Sequence, residues 1–559
     1  MSDDGPPRVG LGVLLRTLSG LPKGRVLQRI ARPLRGSSRR IARACGAGPG
    51  PVEPAVFDAF PPAPIPDGTW TPPGRFQFVG ISRDIGPVID WTVAPTRLWG
   101  FHLHSLDALR EDRPLEDRLR LLDDWMTANP FASGPGWESY PASLRIVNSL
   151  EMLLSADDAE KRARAAGIAL QCWWLEANLE TDLGANHLFK NALALAWAGR
   201  CLRGRSPQRW RSRGDAILVR ELAWQVLDDG FHVERSPGYH AVLVDDLIRL
   251  ERLLRASGKD SGRLLPLVGE ARRRTAEALA SVVHPDGEIP LFNDSALGQA
   301  PRTEWILDRA AELELGVPSV ANPLGAPSAG FHRLAGDTSV VLFDAGEIGC
   351  DEQPGHAHAD TLTYELSYGS TRVVVDAGVF DYAPTAERAY ARSTSGHNTV
   401  ELDGLDQSEM WGVFRVGRKA RPFSVLREDR EGHVAIEASH DGYRHLAGGP
   451  VHRRRMEHLG GDVWRVEDEV LGGGEHRAVS RVRLHPVFSA GARDASWFEA
   501  SSGAVVVRIV AETPSQLDVE EGRYFPSFGV EKRCLVVRLA AAGPLPLRIS
   551  YRLELSTSS

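Results

Sequence analysis

Apolar residues along this chain follow one period in the first half and another in the second. Across residues 106–315 they recur every three or four positions. In 114–126, Leu115, Leu119, Leu122 and Met126 share one helical face. Leu144, Val147, Leu150 and Leu154 do the same in 141–154, and the spacing predicts further helices over 186–202, 215–227, 245–255 and 265–283. Short joints containing Gly or Pro separate them. Successive helical hairpins in one unit predict an α/α toroid or a bundle. After residue 318 the period falls to two. Leu362, Tyr364, Leu366 and Tyr368 alternate with polar residues, and Gly369-Ser370 turns the chain into a second strand over 372–376. More strands are predicted at 398–402, 433–437, 463–466, 505–510, 535–539 and 547–553, punctuated by Asp403-Gly404, Asp441-Gly442 and Gly472-Gly473-Gly474. This half reads as an antiparallel β-sandwich. Residues 46–75 are dense in Pro and Gly and read as a linker or an irregular wrap over another domain. The chain therefore divides into an arm and linker (1–95), a helical domain (96–320) and a sheet domain (321–559).

Composition narrows the function classes. The chain has 559 residues, 42% hydrophobic and 25% charged, which suits large folded cores. No apolar run approaches the roughly 18 residues of a transmembrane helix. Net charge is −7, yet residues 1–50 carry ten Lys/Arg and two Asp/Glu, a local +8 that leaves −15 for the remainder. That balance argues against a nucleic-acid partner. The basic arm reads as a contact for an anionic membrane surface or a partner, or as a solvated leader. Five scattered cysteines without a CxxC argue against a disulfide framework. Asp3 and Asp4 precede only a short apolar stretch, so no signal peptide is expected. A cytoplasmic location follows, with a periplasmic or secreted one as the alternative. A homo-oligomer is compatible with the chain. Eleven of fourteen Trp precede residue 310, where they are expected mainly in helix–helix cores, with a minority free to line a sugar groove.

Three clusters carry chemistry. The first is Gly184-Ala185-Asn186-His187, with Asn186 where an N-cap belongs and His187 in the first helical turn. The helix dipole there disfavours imidazolium, which suits a neutral base. In the second, Ser236-Pro237-Gly238 forms a rigid turn before Tyr239, whose hydroxyl could act as acid or base at a groove rim. The third is His356-Ala357-His358-Ala359-Asp360. If the following strand reaches that far, His356, His358 and Asp360 face one way and form a metal or proton-transfer site. Asp376 and His397 lie on neighbouring predicted segments, and two His with one carboxylate would suit zinc. P-loop, GxSxG and HExxH signatures are absent from the sequence.

These motifs stand in WESYPASLRIVNSL (137–150), GANHLFKNALALAWAG (184–199), DGFHVERSPGYH (229–240), HPDGEIPLFNDS (284–295), HAHADTLTYEL (356–366) and the run from VVVDAGVFDYA to RSTSGHNTVELDG (373–404). Together, in this order, they resemble the heparinase II/III-like polysaccharide lyases, including oligoalginate lyases. The resemblance implies an incomplete α/α toroid followed by an antiparallel β-sandwich. It implies β-elimination at a uronic acid within an acidic polysaccharide, leaving a C4–C5 unsaturated end. By the same resemblance Asn186 neutralises the uronate carboxylate beside His187 and His356. Tyr239 is the acid, and also the base in syn geometry; His187 is the base for the opposite C5 epimer. His358, Asp376 and His397 would hold a structural zinc, with Asp360 second to them. Tyr140 and Arg145 are substrate-side candidates, although a buried Arg tying helices together explains Arg145 equally well. Lys190 stands where one branch of the family carries an acid, so that branch's glycosaminoglycan specificity is not carried over. Residues 98–109 look like the leader of members found with capsule or exopolysaccharide assembly. Two other classes remain open: a non-catalytic glycan-binding protein of such assembly, and a hydrolase using Asp229 or Glu234 with Asp294.

Overall fold

The computed structural model describes residues 10–19, 23–55, 65, 68–258, 262–313, 324–430 and 432–558. The expected boundary at residues 320/321 and most of the Pro-rich stretch 56–67 lie outside the described residues. Two helices open the chain, α1 (Leu11–Ser19) and α2 (Lys23–Ala44). Nine more build the helical region: α3 (Arg97–Ser105), α4 (Leu115–Ala128), α5 (Ser139–Leu153), α6 (Asp158–Ala177), α7 (Ala185–Cys201), α8 (Arg205–Gln225), α9 (Pro237–Ala256), α10 (Leu264–Val282) and α11 (Thr303–Glu312). A short helix, α12 (Ala386–Arg392), lies among the strands. No helix among the described residues is long and apolar enough to cross a membrane.

All six expected helices are present, two of them longer than expected. The first turns of α8 are rich in Arg and those of α9 follow Pro237, so neither shows an apolar period. Ser236 caps α9, its Oγ accepting from the Tyr239 amide. Three helices had no visible apolar stripe, and α6 shows why: Ala165, Ala169 and Cys172 carry much of its buried face. Helix α7 is the centre of the region; every residue in it except His187 is buried, and it packs on α5 and α8. A helix buried on every side belongs in a core, and its polar residues there are paired, as Lys190 is with Asp246 and Arg200 with Asp215. Trp99, Trp125, Trp197 and Trp210 are among the largest fully buried side chains, so the tryptophans fill helix–helix contacts.

The strand ladders described in the second half are antiparallel. A five-stranded sheet contains Tyr364–Tyr368 and Thr371–Val374; a four-stranded sheet contains Val400–Leu402 and Glu475–Arg483; an eight-stranded sheet runs from Pro422–Arg430 to Ser489–Arg493. The period-two rule is plain in Val463–Leu471, which buries Trp464, Val466, Asp468 and Val470. One core joins these three larger sheets through residues such as Val341, Val400, Ile436, Val507 and Val537. Ahead of the helices, Trp70–Thr71, Arg75–Phe78 and Ile81–Asp84 form a small sheet, so this part of the Pro/Gly-rich stretch is an ordered wrap. It meets the sheet domain closely: a Cβ on Gly80 would stand 2.7 Å from the Phe528 carbonyl oxygen. Gly80 also holds φ +73°, so a side chain is disfavoured there twice over.

Candidate active site and metal cluster

A cleft of about 440 Å³ opens between the helices, the N-terminal wrap and the sheet domain. Tyr140, Lys190 and Tyr239 line it from the helices, Val79 from the wrap, and Tyr382 and Phe528 from the sheet side. No tryptophan is among its lining residues. Three cations line it and each faces a carboxylate: Arg110 with Asp245 (3.0 Å), Lys190 with Asp246 (2.5 Å) and Arg249 with Glu151 (2.6 Å).

At the start of α7 the N-cap is Gly184, at φ +68°, with no side-chain cap. Asn186 is therefore not the cap. Its Nδ2 donates to both Glu234 oxygens (3.0 and 2.8 Å) and its backbone amide donates to Oε1 (3.2 Å). Its Oδ1 is buried without a partner. His187 lies against the Tyr140 ring (centroids 4.6 Å apart) with Nδ1 3.3 Å from Glu180 Oε2. Burial disfavours its charge, but Glu180, helped by Glu234, outweighs burial and raises its pKa above the ordinary value. The helix terminus therefore does not keep His187 neutral, because an adjacent buried carboxylate acts on it more strongly than the dipole.

Tyr239 stands in the first turn of α9. Its hydroxyl is 3.3 Å from that of Tyr382, and its ring is 3.9 Å, centroid to centroid, from His356. Burial raises the phenol pKa; the Tyr382 hydrogen bond and Arg388 oppose it only in part. His356 Nε2 lies 3.6 Å from Glu234 Oε2, and Nδ1 donates to Asp294 Oδ2 (2.9 Å). Asn186, His187, Tyr140, Tyr239 and His356 thus form one connected group, with Glu234 between Asn186 and His356.

Asp294 joins this group to a second one. Its Oδ1 accepts from His358 Nε2 (2.9 Å), and both of its oxygens accept from the Arg388 guanidinium. The carboxylate is fully buried, yet Arg388 and the two histidines hold its pKa well below the carboxylate range against the cost of burial. On its far side His358 Nδ1, Asp360 Oδ1 and His397 Nε2 are buried without hydrogen-bond partners. A ligand atom from each of these three residues lies within 4.8 Å of the others. Three orphaned lone-pair atoms in one pocket fit a metal ion. Burial keeps His358 unprotonated, down to about 3, and raises Asp360 to about 6.

The structure exchanges the two aspartates of the sequence reading. Asp360 faces the pocket, while Asp376 Oδ2 accepts from His397 Nδ1 (2.8 Å). That bond outweighs burial and raises the His397 pKa. It also fixes the ring with Nε2 toward the pocket, as Asp294 fixes His358, and such carboxylate–histidine pairs orient metal ligands. The strand invoked to align His356, His358 and Asp360 begins only at Tyr364. A 3₁₀ turn at Pro354–His356 and a loop present them instead, sending His356 to the cleft and the other two to the pocket.

Arg145 is taken away from the cleft. It is fully buried, donates to Gln171 Oε1, the His104 carbonyl and the Gly136 carbonyl, and stacks over Trp125 at 3.5 Å. Tyr140 stays on the cleft wall. The sequence reading missed Tyr382, Arg388 and the joining role of Asp294. Tyr382 and Asp294 lie inside the matched segments 373–383 and 284–295, but nothing local marks a tyrosine or aspartate as facing a site 60 residues away in sequence or more.

This fold and site define a class: the chain belongs to the heparinase II/III-like family. Residues 123–312 match the heparinase II/III N-terminus and 320–554 the heparinase II/III-like C-terminal domain. Among individual relatives, FtsZ-localized protein C of Caulobacter vibrioides is 26% identical over 463 residues, covering 80% of this chain and 74% of that protein. A heparin-sulfate lyase of Bacteroides thetaiotaomicron is 25% identical over 414 residues, covering 65% of this chain and 57% of the lyase. The crystal structure of heparinase III shares the fold, with a TM-score of 0.65 at 18% identity over 85% of this chain and 80% of that one. A heparan sulfate lyase HepC mutant from Pedobacter heparinus shares it with a TM-score of 0.60, again at 18% identity, over 87% and 81%.

Proposed function

We propose that this protein is a polysaccharide lyase that cleaves a uronate-containing glycan by β-elimination. One observation carries the reading: the Tyr239 ring from the helical region, on the cleft wall, lies 3.9 Å from the His356 ring of the sheet region, and Glu234 links His356 to Asn186 beside His187. In elimination the C5 proton passes to a base, the C4–O4 bond breaks, its electrons leave with O4, and the C5 electron pair forms the C4–C5 double bond. Tyr239, kept protonated by burial, is suited to protonate the departing O4. In syn geometry the same oxygen first takes the C5 proton, so it must reach substrate as phenolate; Arg388 and the Tyr382 hydroxyl favour that form. His187 serves the opposite epimer once it has released the proton that Glu180 holds. Asn186 neutralises the uronate carboxylate.

His358, Asp360 and His397 would hold a zinc ion, which supplies a fixed charge and a cross-link between loops rather than contact with substrate. Asp294 then orients His356 from the same cluster. Because each cation lining the cleft already faces a carboxylate, a glycan bearing uronate without sulfate fits best.

A hydrolase is disfavoured by the carboxylates themselves. Glu234 and Asp294 are both held below their ordinary pKa, so neither is a general acid. Asp229 binds the amides of Phe231 and Ala329. A second reading, glycan binding without turnover, draws on Asn186, whose amide hydrogens are already engaged by Glu234. The test is ultraviolet absorbance of the unsaturated uronate with alginate, hyaluronan, chondroitin and heparan. We expect turnover on one unsulfated member and a loss of about 10²–10⁴ in kcat for Tyr239→Phe. Reducing ends without absorbance would point to hydrolysis, and binding without either product would establish the second reading.

A further inference from the structure

Helix α2 turns one row of its arginines toward the protein. Its 22 residues include eight Lys/Arg and no Asp/Glu. One side is bound to the protein: Arg25 pairs with Glu352 (2.6 Å), Arg32 with Glu180 (3.1 Å) and Arg39 with Glu176 (3.2 Å), while Arg39 also stacks over Trp173 at 4.3 Å. Gly36 is buried on this side, where a Cβ would meet Asn178 and Trp174. An ordinary surface helix turns its apolar stripe to the core and its charges to water. Here the stripe is outside. Leu27, Ile30, Leu34 and Ile41 are 69%, 69%, 71% and 66% exposed. At 3.6 residues per turn they fall within an arc of about 60°, opposite the arginine face. An exposed stripe of this kind marks an interaction site.

We propose that α2 lies flat on an anionic lipid surface and holds the protein there as a peripheral membrane protein. Charge selects this occupant. The first 50 residues carry +8 on a chain that is otherwise −15, so an anionic surface attracts this end and repels the rest. Arg29 and Arg40 remain exposed on the flank between the two faces, where long stems can extend toward headgroups while the leucines and isoleucines enter the acyl boundary. Shape agrees, since a narrow stripe on one convex helix of roughly 33 Å matches a plane rather than a groove. The inference does not depend on the chemistry proposed for the cleft.

The test is co-sedimentation of the full chain with vesicles of phosphatidylcholine, with and without phosphatidylglycerol. Binding is expected only with phosphatidylglycerol and should weaken with salt. Ile30→Asp/Leu34→Asp should lower vesicle affinity at least about tenfold. Leu27→Gln/Ile41→Gln, which keeps good helix formers, should also lower it, with an unchanged thermal transition. Equal sedimentation of wild type and both variants would overturn the proposal, as would absence of binding to either vesicle. A dimer in solution that Ile30→Asp/Leu34→Asp returns to monomer, without vesicle binding, would assign the stripe to a second copy and overturn it too.

Discussion

Replacing Asp294 with Asn removes one negative charge from the point where the two halves of the chain meet. The carboxylate is 0% exposed and Arg388 is 1% exposed. After the exchange the guanidinium keeps the Val413 carbonyl and at most one of its two acceptors at position 294, now a neutral amide oxygen. Breaking a buried pair by removing one partner costs about 3–5 kcal/mol. The amide cannot repair this, because its Nδ2 sets a donor against the donors of Arg388, His356 or His358. Urea unfolding followed by tryptophan fluorescence should therefore show a loss of about 3–5 kcal/mol, and Arg388→Met in the same background should recover part of it. The sign with pH follows from the depressed pKa. Stability from Asp294 is present above its ordinary value near 3.8 and is lost only as pH falls through the lower folded value, so it persists across the neutral range. A loss below about 1 kcal/mol, or a double variant no better than the single one, would refute the view of Asp294 as the buried charge that ties the halves together.

The raised His187 pKa gives a second expectation. The His187–Glu180 pair stabilises the fold fully below about 6.5 and less as pH rises through the raised value; Glu180→Gln should move the acidic limb of His187-dependent kcat/KM to lower pH. Elemental analysis should find zinc in the wild type and none in Asp360→Asn, whereas Asp376→Asn should weaken affinity by about 10–100-fold. Full zinc retention in Asp360→Asn would restore Asp376 to the ligand set. Arg145→Ala should cost ~3 kcal/mol or more by stranding two carbonyls and Gln171, with KM unchanged; a raised KM at unchanged stability would return Arg145 to the cleft.

The order of helices and strands was legible because both apolar periods are long and separate. What escaped was burial by small residues, as in α6, and an amphipathic helix whose stripe faces outward, as in α2. The site motifs were legible as clusters but not as geometry. His356, His358 and Asp360 alternate in sequence as a strand would, yet a loop carries them to two pockets. Nothing local distinguishes Asp360 from Asp376, since the choice depends on which carboxylate reaches His397 Nδ1. Arg145 sits among apolar positions of α5, and only its partners on three other segments show that it is a tie rather than a hand.

Asp294 has a consequence for biosynthesis. It belongs to the helical half, which leaves the ribosome first, but His356, His358 and Arg388 follow some 60 to 90 residues later. Until then the carboxylate has none of these three partners, and enclosing it would be unfavourable. The cleft end of the helices therefore closes only after the chain has passed Arg388. Nascent chains halted before that point should be cut by protease near residues 284–300, while α7 and its neighbours already resist.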